Sequence, residues 1–229
     1  MLLYSDPHGA RLSWELKYAE LSGADVQALQ SHFTACGGPL RAFTFIDPTE
    51  NMLDYSTDLT ASIWQNTSGL KIAASDDDPL GGTAAFTLTN AGQANEEINQ
   101  SFIVPANYQF CLSLYVRSEQ PTTVTLSRRG GAVNENTICN TGPIWRRLIS
   151  SGSLNDPTST FTVAIVLNPG QQVQVFGPQL EPQIEPSRYR PTTAEGGVYS
   201  GAHWGVDQLA IAAEAPNLFS TQFSIETTA

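Results

Sequence analysis

The residues of this sequence that could perform chemistry are few and widely spaced. The three histidines are His8, His32 and His203. None of them lies in an H-E-x-x-H pattern, and the sequence has no G-x-S-x-G elbow and no phosphate-binding glycine loop. His32 falls in a helical pattern one position before Phe33, and the other two histidines lie in turn-like sequence. A serine hydrolase or a metal hydrolase is therefore not supported.

Paired carboxylates are another route to catalysis, because a glycosidase needs two acids that converge in one cleft. The adjacent acids are Glu96-Glu97 and the run Asp76–Asp78. Side chains at neighbouring positions of a strand point to opposite faces, so such pairs do not converge. We expect the aspartate run to be a solvated turn; the alternative is weak calcium binding through oxygen ligands, with Asp77 as a ligand. No catalytic residue is predicted, and we expect the protein not to be an enzyme.

The three cysteines, Cys36, Cys111 and Cys139, are an odd number without C-x-x-C spacing. Cys111 lies within an apolar strand pattern, where a thiol behaves as a small buried hydrophobic group. We expect this packing role for Cys111, not a redox or metal-binding role. No cofactor is predicted, apart from the calcium alternative.

The amino-acid composition limits the classes of partner that we expect the protein to bind. Charged residues make up 14% of the 229 residues, and the net charge is −11 with 11 lysines and arginines. A nucleic-acid backbone requires a basic surface, so nucleic-acid binding is not expected. No apolar run approaches the roughly 18 residues of a membrane span, and no basic-then-apolar leader opens the sequence. We therefore expect a soluble, β-rich protein without a membrane partner.

Residues 50–191 have the pattern of short strands separated by turn residues. Apolar and polar side chains alternate in about nine segments, with no helical pattern between them. The segments are 71–74, 83–89, 97–104, 108–117, 122–128, 137–140, 145–151, 161–167 and 171–176. Strands at this regular spacing predict a β-sandwich, and the length of the segment suits a jelly roll.

The last part of this segment, Gln171–Pro191, contains Gly177-Pro178 directly after an alternating strand. Because proline has no N–H to donate, we expect the strand to end at Phe176. The prolines that follow predict an extended, non-helical path from Pro178 to Pro191.

The two ends of the chain, residues 1–49 and 192–229, together predict one small α+β domain. The first end contains a strand, a helix and a second strand, at Leu12–Tyr18, Ala24–Cys36 and Arg41–Ile46. It has too little apolar surface to be stable alone. The last end predicts three more strands, around Val198-Tyr199, Asp207–Ala213 and Phe219–Glu226. The predicted fold is therefore mainly β, a jelly roll over residues 50–191 inserted into a discontinuous α+β domain.

Both parts carry patterns of known families. The start of the chain is similar to the first part of phage tail and baseplate proteins of the distal-tail or minor-tail type. The pattern that they share is W-x-L-x-Y-x-x-L, followed by a helix with a phenylalanine, by Gly-Gly and by F-x-F-x-D-P. Here it comprises Trp14, Leu16, Tyr18, Leu21, Phe33, Gly37, Gly38, Phe43, Phe45, Asp47 and Pro48. Residues 207–226 are similar to the final strands of the same domains. The segments NMLDYSTDLTASIW and FGPQLEPQIEPSRYRPT resemble the start and the finish of carbohydrate-binding-like jelly rolls found in phage structural proteins.

This resemblance implies a non-enzymatic structural component of a phage or phage-tail-like particle, located in the virion, encoded by a prophage and made in the bacterial cytoplasm. Its partners would be other tail or baseplate subunits, in a homo-oligomer, and a cell-surface carbohydrate contacted by an outward-facing jelly roll. The alternatives are a stand-alone carbohydrate-binding module and a glycosidase. Related jelly rolls often carry a structural calcium, so Glu181 is a further calcium candidate, although a local hydrogen-bond network is its expected role. The related jelly rolls also place Trp64 and Trp145 in the core.

A glycan site needs aromatic rings as apolar platforms beside polar groups that fix the orientation of the sugar. In the strand 108–117, the alternating residues Phe110, Leu112, Leu114 and Val116 are predicted to fill the core. The opposite face carries Tyr115 and Arg117, which we predict to bind glycan together with Gln174 and Arg129 from other strands. The alternatives for this face are a solvated surface and a contact with a partner subunit.

Overall fold

The computed structural model describes residues 11–75 and 77–228, and the chain divides into two compact units. The inner unit is Ile46–Gly197, and the chain-end unit is formed by both ends of the chain, up to Phe45 and from Val198. The sequence places the two boundaries at 49/50 and 191/192, a few residues further inside the insert. The protein is mainly β, with 49% strand and 8% helix.

Within the described residues, one long helix lies between the first two strands, and strands follow it to the end. They are β1 (Arg11–Leu21), α1 (Gly23–Cys36), a 3₁₀ turn (Gly38–Leu40), β2 (Phe43–Ile46), β3 (Gln65–Asn66), β4 (Leu70–Ala74), β5 (Phe86–Asn90), β6 (Glu96–Phe102), β7 (Phe110–Arg117), β8 (Thr122–Gly130), β9 (Val133–Thr141), β10 (Arg146–Gly152), β11 (Phe161–Leu167), β12 (Gln172–Glu181), β13 (Val198–Trp204), β14 (Ile211–Ala215) and β15 (Leu218–Thr228). No helix among the described residues has both the length and the apolar character that a membrane span requires.

The helix of the chain-end unit begins and ends where its capping residues predict. The Ser22 hydroxyl accepts a hydrogen bond from the Asp25 backbone N–H, and the Asp25 carboxylate accepts one from the Ser22 N–H at 2.9 Å. This reciprocal capping box satisfies N–H groups that the first turn leaves without partners. At the other end Gly37 adopts φ 64° and donates to carbonyls of the last turn, a conformation that favours glycine. The predicted helix over Ala24–Cys36 is confirmed, with one more residue at its start.

The chain-end unit packs this helix on a five-stranded sheet. Four strands lie in the order β1-β15-β13-β2, and β14 pairs with β15. Trp204 is 2% exposed and lies at the centre of an aromatic cluster, 4.6 Å from the Phe223 ring and 5.2 Å from the Phe33 ring. Trp14 and Leu16 of β1 pack against the same core. These rings explain the apolar alternation that the sequence shows at both ends of the chain.

The inner unit is a sandwich of two five-stranded sheets. The front sheet has the order β10-β7-β12-β5-β4, and the back sheet has the order β3-β6-β11-β8-β9. The chain crosses repeatedly between the sheets, for example from β6 to β7 and from β10 to β11, as in a jelly roll. The Phe110 and Phe161 rings stack at 4.4 Å between the two sheets. The predicted β-sandwich and its nine strands are confirmed, and the short β3 is an addition.

The prediction that the strand ends at Phe176 is wrong, because β12 continues to Glu181. Its register with β7 shifts between Phe176 and Gln179. Gly177 has φ 60° at this point, so the chain forms a bulge that takes up the proline without ending the strand. Pairing with β7 resumes at Gln179.

The start and the end of the inner unit are joined by hydrogen bonds. The Asp47 N–H donates to the Gly197 carbonyl at 2.9 Å, and the Gly197 N–H donates to the Asn51 carbonyl at 2.8 Å. The side chain of Asn51, which has no exposed surface, makes four further bonds. A Cβ at Gly196 would lie 2.4 Å from the Met52 carbonyl oxygen, so this close approach of two segments requires glycine. The ends of the unit therefore leave it side by side.

The cysteines are free thiols, of which Cys36 and Cys111 are buried and Cys139 is half-buried. Burial, and then the negative charge of Glu181, raise the pKa of the Cys111 thiol to about 11. The thiol is therefore protonated near neutral pH and is a poor nucleophile. The predicted packing role of Cys111 is confirmed.

Candidate binding site

Strand β7 divides its side chains between the sandwich core and the outer face of the front sheet. The four predicted core residues are at most 2% exposed: Phe110, Leu112, Leu114 and Val116. The other face carries Cys111, Ser113, Tyr115 and Arg117 in alternate positions. Cys111 and Ser113 are buried as well, whereas Tyr115 and Arg117 are half-buried. Only one end of this face is therefore accessible to a ligand.

The buried end of the outer face is covered by the segment that follows β12. The Tyr189 ring packs edge-on against the Phe176 ring at 5.2 Å. The Arg147 guanidinium donates to the Ser187 carbonyl and, at 2.9 Å, to the Ser113 hydroxyl. The segment 182–190 thus folds back over the sheet. It leaves the unit by a non-helical path, as predicted, but it also limits the accessible surface.

Glu181, a calcium candidate, lies under this segment and is 1% exposed. Its carboxylate accepts hydrogen bonds from the amides of Gln179 and Gln183, at 2.6 and 3.0 Å. It also accepts bonds from the backbone N–H of Ser187 at 3.0 Å and from the Ser187 hydroxyl at 2.5 Å. These are the contacts of the local hydrogen-bond network that the sequence favours. Within residues 11–75 and 77–228, no group of three or more histidine, cysteine or acidic side chains is placed to hold a metal ion.

The accessible end of the face brings together three of the four predicted glycan-binding residues. Arg117 donates through Nε to the Gln174 Oε1 and through Nη2 to the Asp77 carboxylate. Gln174 in turn donates to the Ser75 hydroxyl at 2.6 Å. In the register of β7 and β12, Arg117 lies opposite Gln174. The cation and the amide therefore form one fixed polar group on the sheet.

Tyr115 lies in the neighbouring row of the same face. Its ring is 6.1 Å from the Phe176 ring, and the Arg147 guanidinium lies 5.6 Å from its centroid. These two neighbours hold the ring in place. The hydroxyl of Tyr115 has no hydrogen-bond partner within the described part of the chain, so it is available to a ligand.

Trp145 is a member of the site that the sequence interpretation missed. The Arg117 guanidinium lies 4.9 Å from the centroid of its ring, which is a cation–π contact. The ring is half-buried and its indole N–H has no hydrogen-bond partner among the described residues. Its placement in the core, which the resemblance implied, is wrong. The sequence does contain a signal for this position. Trp145 lies two residues before Arg147, and alternate residues of a strand share a face. Trp64, in contrast, is 6% exposed and packs in the core as expected.

A groove of about 570 Å³ opens beside Arg117 and Gln174. Its other walls come from the turns between β7 and β8, β9 and β10, and β11 and β12, and from the first residues of β8 and β12. They are Ser118, Glu119, Gln120, Pro121, Thr122, Pro143, Gly170, Gln171, Gln172 and Val173. The Gln171 amide donates to the Thr122 hydroxyl at 2.7 Å and has a structural role. The side chains of Gln120 and Gln172 are exposed and make no hydrogen bond to other described residues. The groove therefore presents free amide groups next to an arginine.

Arg129 does not belong to this site, and its prediction as a neighbour of the other three residues is corrected. It lies on β8 in the back sheet, and its guanidinium forms a bidentate ion pair with Glu97 at 2.7 and 2.8 Å. Glu97 also accepts a hydrogen bond from Asn99. Because β7 and β8 belong to different sheets, their non-core faces point to opposite sides of the sandwich.

Comparisons with known proteins give low similarities. No family model and no curated protein matches the sequence. A xylan-binding domain of family 22 from Paenibacillus barcinonensis Xyn10C aligns with 60% of this chain and 96% of its own, at 14% identity and a TM-score of 0.47. The C-terminal family 22 carbohydrate-binding module of Clostridium thermocellum Xyn10B aligns over 62% and 100%, at 14% identity and 0.48.

The enzymatically active domain of the bacteriophage CBA120 tailspike protein 4 aligns with 59% of this chain but only 22% of its own, at 15% identity and a TM-score of 0.45. At such identities and scores, these structures do not identify the ligand of this chain. The chemistry of the site is therefore inferred from its own side chains.

Proposed function

We propose that the inner unit is a non-catalytic saccharide-binding module and that its site is the accessible end of the front sheet together with the adjoining groove. The observation that supports it is the open groove, whose wall shares Arg117 and Gln174 with the sheet face that carries Tyr115. Sugars present hydroxyl pairs that planar amide and guanidinium groups can bind in a bidentate manner, and C–H faces that pack on aromatic rings.

The residue types around the groove support binding without turnover. A glycosidase needs two carboxyl groups that flank the scissile bond. Glu119 lines the groove, while Asp77 is engaged in the ion pair with Arg117. The remaining polar walls are amides and hydroxyls, which bind sugars but do not transfer protons at neutral pH. The expected affinity is about millimolar to micromolar, roughly −4 to −8 kcal/mol, as for a shallow site.

The test is a glycan array followed by titration calorimetry on the best ligand. We expect Tyr115→Ala and Arg117→Ala each to weaken binding by about tenfold or more, which is 1.4 kcal/mol or more. Tyr115→Phe, which keeps the ring but removes the available hydroxyl, should weaken binding less than Tyr115→Ala does. Arg129→Ala is the matched control, because it removes an arginine from an ion pair on the opposite sheet.

Two results would overturn this proposal. One is an array on which the wild type binds no saccharide. The other is binding that neither Tyr115→Ala nor Arg117→Ala changes. Thermal denaturation of each variant shows whether a loss of binding comes from a loss of the fold, since the Tyr115 ring also packs against Arg147 and Phe176.

A role as a structural component of a phage or phage-tail-like particle is the second candidate. It is supported by the division of the chain into a unit made from both chain ends and an inner sandwich. The residues that carry the resemblance to tail proteins include Trp14, Leu16, Phe33, Phe43 and Phe45, which pack in the core of the chain-end unit. In this role the chain would form a homo-oligomer with other tail or baseplate subunits in the virion.

Size-exclusion chromatography with light scattering tests this second candidate. A discrete homo-oligomer at micromolar concentration supports an assembly role. A monomer over the whole accessible range of concentration contradicts self-assembly and favours a stand-alone saccharide-binding module.

A further inference from the structure

We propose that Asp77 sets the charge selectivity of the groove, so that it accepts uncharged saccharides and disfavours those that carry carboxylates. This inference rests on the proposed saccharide-binding function. Asp77 is the residue that pairs with Arg117, a cation in the groove wall. An acidic sugar would have to compete with Asp77 for the guanidinium, whereas a neutral sugar would not.

The guanidinium is held on three sides. Nε is bonded to Gln174, Nη2 is bonded to Asp77, and the plane lies over the Trp145 ring at 4.9 Å. Arginine carries five N–H donors, and Nη1 has no hydrogen-bond partner within the described residues. Arg117 can therefore still donate to a ligand hydroxyl while Asp77 neutralises its charge.

The turn that carries Asp77 is anchored on both sides of it. Before it, the Ser75 hydroxyl accepts from Gln174, and the Ser75 N–H donates to the Ala85 carbonyl at 2.9 Å. After it, the buried carboxylate of Asp78 accepts hydrogen bonds from the backbone N–H groups of Leu80, Gly82 and Ala84, at 2.8 to 3.1 Å. An isolated surface ion pair contributes little because its side chains must be ordered. Here Ser75 and Asp78, which flank the position of Asp77, are themselves fixed by these hydrogen bonds.

Asp78 contributes to this anchor in its charged form. Burial raises the pKa of its carboxyl, but the three backbone donors lower it by more, so the pKa lies below its ordinary value. The hydrogen bonds that the Asp78 carboxylate accepts in this turn therefore persist at neutral pH. Asp77 itself is exposed, with 53% of its side chain accessible, so a change at this position leaves the packing of the turn intact.

Local pairing, and not the charge of the whole protein, is what decides the selectivity. The net charge of −11 repels anions at long range. At physiological ionic strength, however, interactions between exposed charges are screened beyond about 8 Å. Asp77 lies in direct contact with the guanidinium, well within this distance. Its effect should therefore persist in physiological buffer and become smaller at high salt.

The experiment compares uronic-acid oligosaccharides with their methyl esters, which differ in charge but not in backbone. Both forms are included in a panel with neutral oligosaccharides, and their affinities are measured for the full-length wild type and for Asp77→Asn. Asparagine keeps an oxygen that can accept from Arg117 but removes the charge. We expect Asp77→Asn to raise the affinity for the acidic form relative to its ester by about fivefold, the factor for one charge contact in water.

Glu97→Gln is the matched control, because it removes one carboxylate from an arginine ion pair on the back sheet. This control should leave the acid-to-ester ratio unchanged. If saccharides bind but Asp77→Asn leaves the ratio within about twofold of the wild type, the selectivity proposal is wrong and the binding function stands. If neither protein binds any member of the panel, the binding function itself fails, and the selectivity proposal fails with it.

Discussion

The side chain of Asn51 joins the start of the inner unit to its end through hydrogen bonds. Its amide nitrogen donates to the Pro178 and Arg190 carbonyls at 3.0 and 3.2 Å. Its oxygen accepts from the Leu53 and Leu180 backbone N–H groups at 3.1 and 2.9 Å. The residue is fully buried, so water cannot replace any of these bonds. The first segment of the inner unit is thereby bonded to its last strand.

We predict that Asn51→Ala lowers the free energy of unfolding of the inner unit by about 3 kcal/mol or more. The change leaves buried backbone groups without partners, and each such group costs about 1–3 kcal/mol. Urea denaturation followed by tryptophan fluorescence measures the effect. Asn66→Ala is the control, because Asn66 is exposed and its amide donates over a long 3.4 Å to Thr67. An unchanged midpoint for Asn51→Ala would contradict the proposed role of the amide.

At the scale of residues, the sequence predicted the site in part. Alternation along one strand is enough to assign Tyr115 and Arg117 to one face, because the side-chain period of a strand is two. Alternation cannot say which of two sheets a strand joins, and this is why Arg129 was wrongly added to the site. The ion pair of Arg117 with Asp77 joins positions 40 residues apart, and no local pattern indicates such a contact.

The bulge in β12 is the element on which the shape of the binding face depends. Gly177 adopts φ 60°, and a Cβ there would lie 3.2 Å from atoms of the Tyr189 ring. The glycine thus permits both the left-handed backbone and the close packing of the ring. From sequence, Gly177-Pro178 predicts the end of a strand, because proline has no N–H to donate. A bulge accommodates the missing donor without ending the strand, and no local pattern indicates it.

We predict that Gly177→Ala destabilises the inner unit by about 2–3 kcal/mol. A left-handed conformation costs a non-glycine residue about 1–2 kcal/mol, and displacement of the Tyr189 ring adds to this cost. Gly170→Ala provides the control, since Gly170 has φ 75° but nothing within 4 Å of the added Cβ. It should cost only the backbone term, about 1–2 kcal/mol. Equal losses for the two variants in chemical denaturation would show that the contact with Tyr189 contributes nothing.

Other elements could be predicted because their signals are local. The helix α1 has its N-cap, its capping acid and its terminal glycine within the sequence that forms it. The strands of the sandwich alternate in short, regular segments. The order of strands within the sheets could not be predicted, because partners such as β7 and β12 are joined only by long-range contacts.

At the scale of the whole molecule, the two units have separate cores. The contacts divide the chain at 45/46 and 197/198. The sequence pattern predicts these boundaries at 49/50, just after Asp47-Pro48, and at 191/192, just after Pro191. The sequence does not predict that the inner unit extends to Gly197. Gly197 is joined to Asp47 by a backbone hydrogen bond, which no side-chain pattern indicates.

We predict that residues 46–197 fold without the rest of the chain. Their core is closed by the two sheets, and their ends are held together by the pairing of Asp47 with Gly197. The fragment should unfold cooperatively in urea and keep the saccharide affinity of the whole protein. Non-cooperative unfolding, or a molten state without fixed tertiary contacts, would contradict this prediction. The fragment carrying Asn51→Ala serves as the destabilised comparison.

The adjacent ends of the inner unit also bear on the order in which the chain folds. Strands β2 and β13 are neighbours in the chain-end sheet, yet residues 47–197 lie between them in the sequence. Closing a flexible loop of about 150 residues costs roughly 4 kcal/mol of chain entropy. Once the inner unit has folded, its ends are already side by side and most of this cost is removed. A destabilising substitution in the core of the sandwich would then slow or prevent the assembly of the chain-end sheet, although it changes none of that sheet's own contacts.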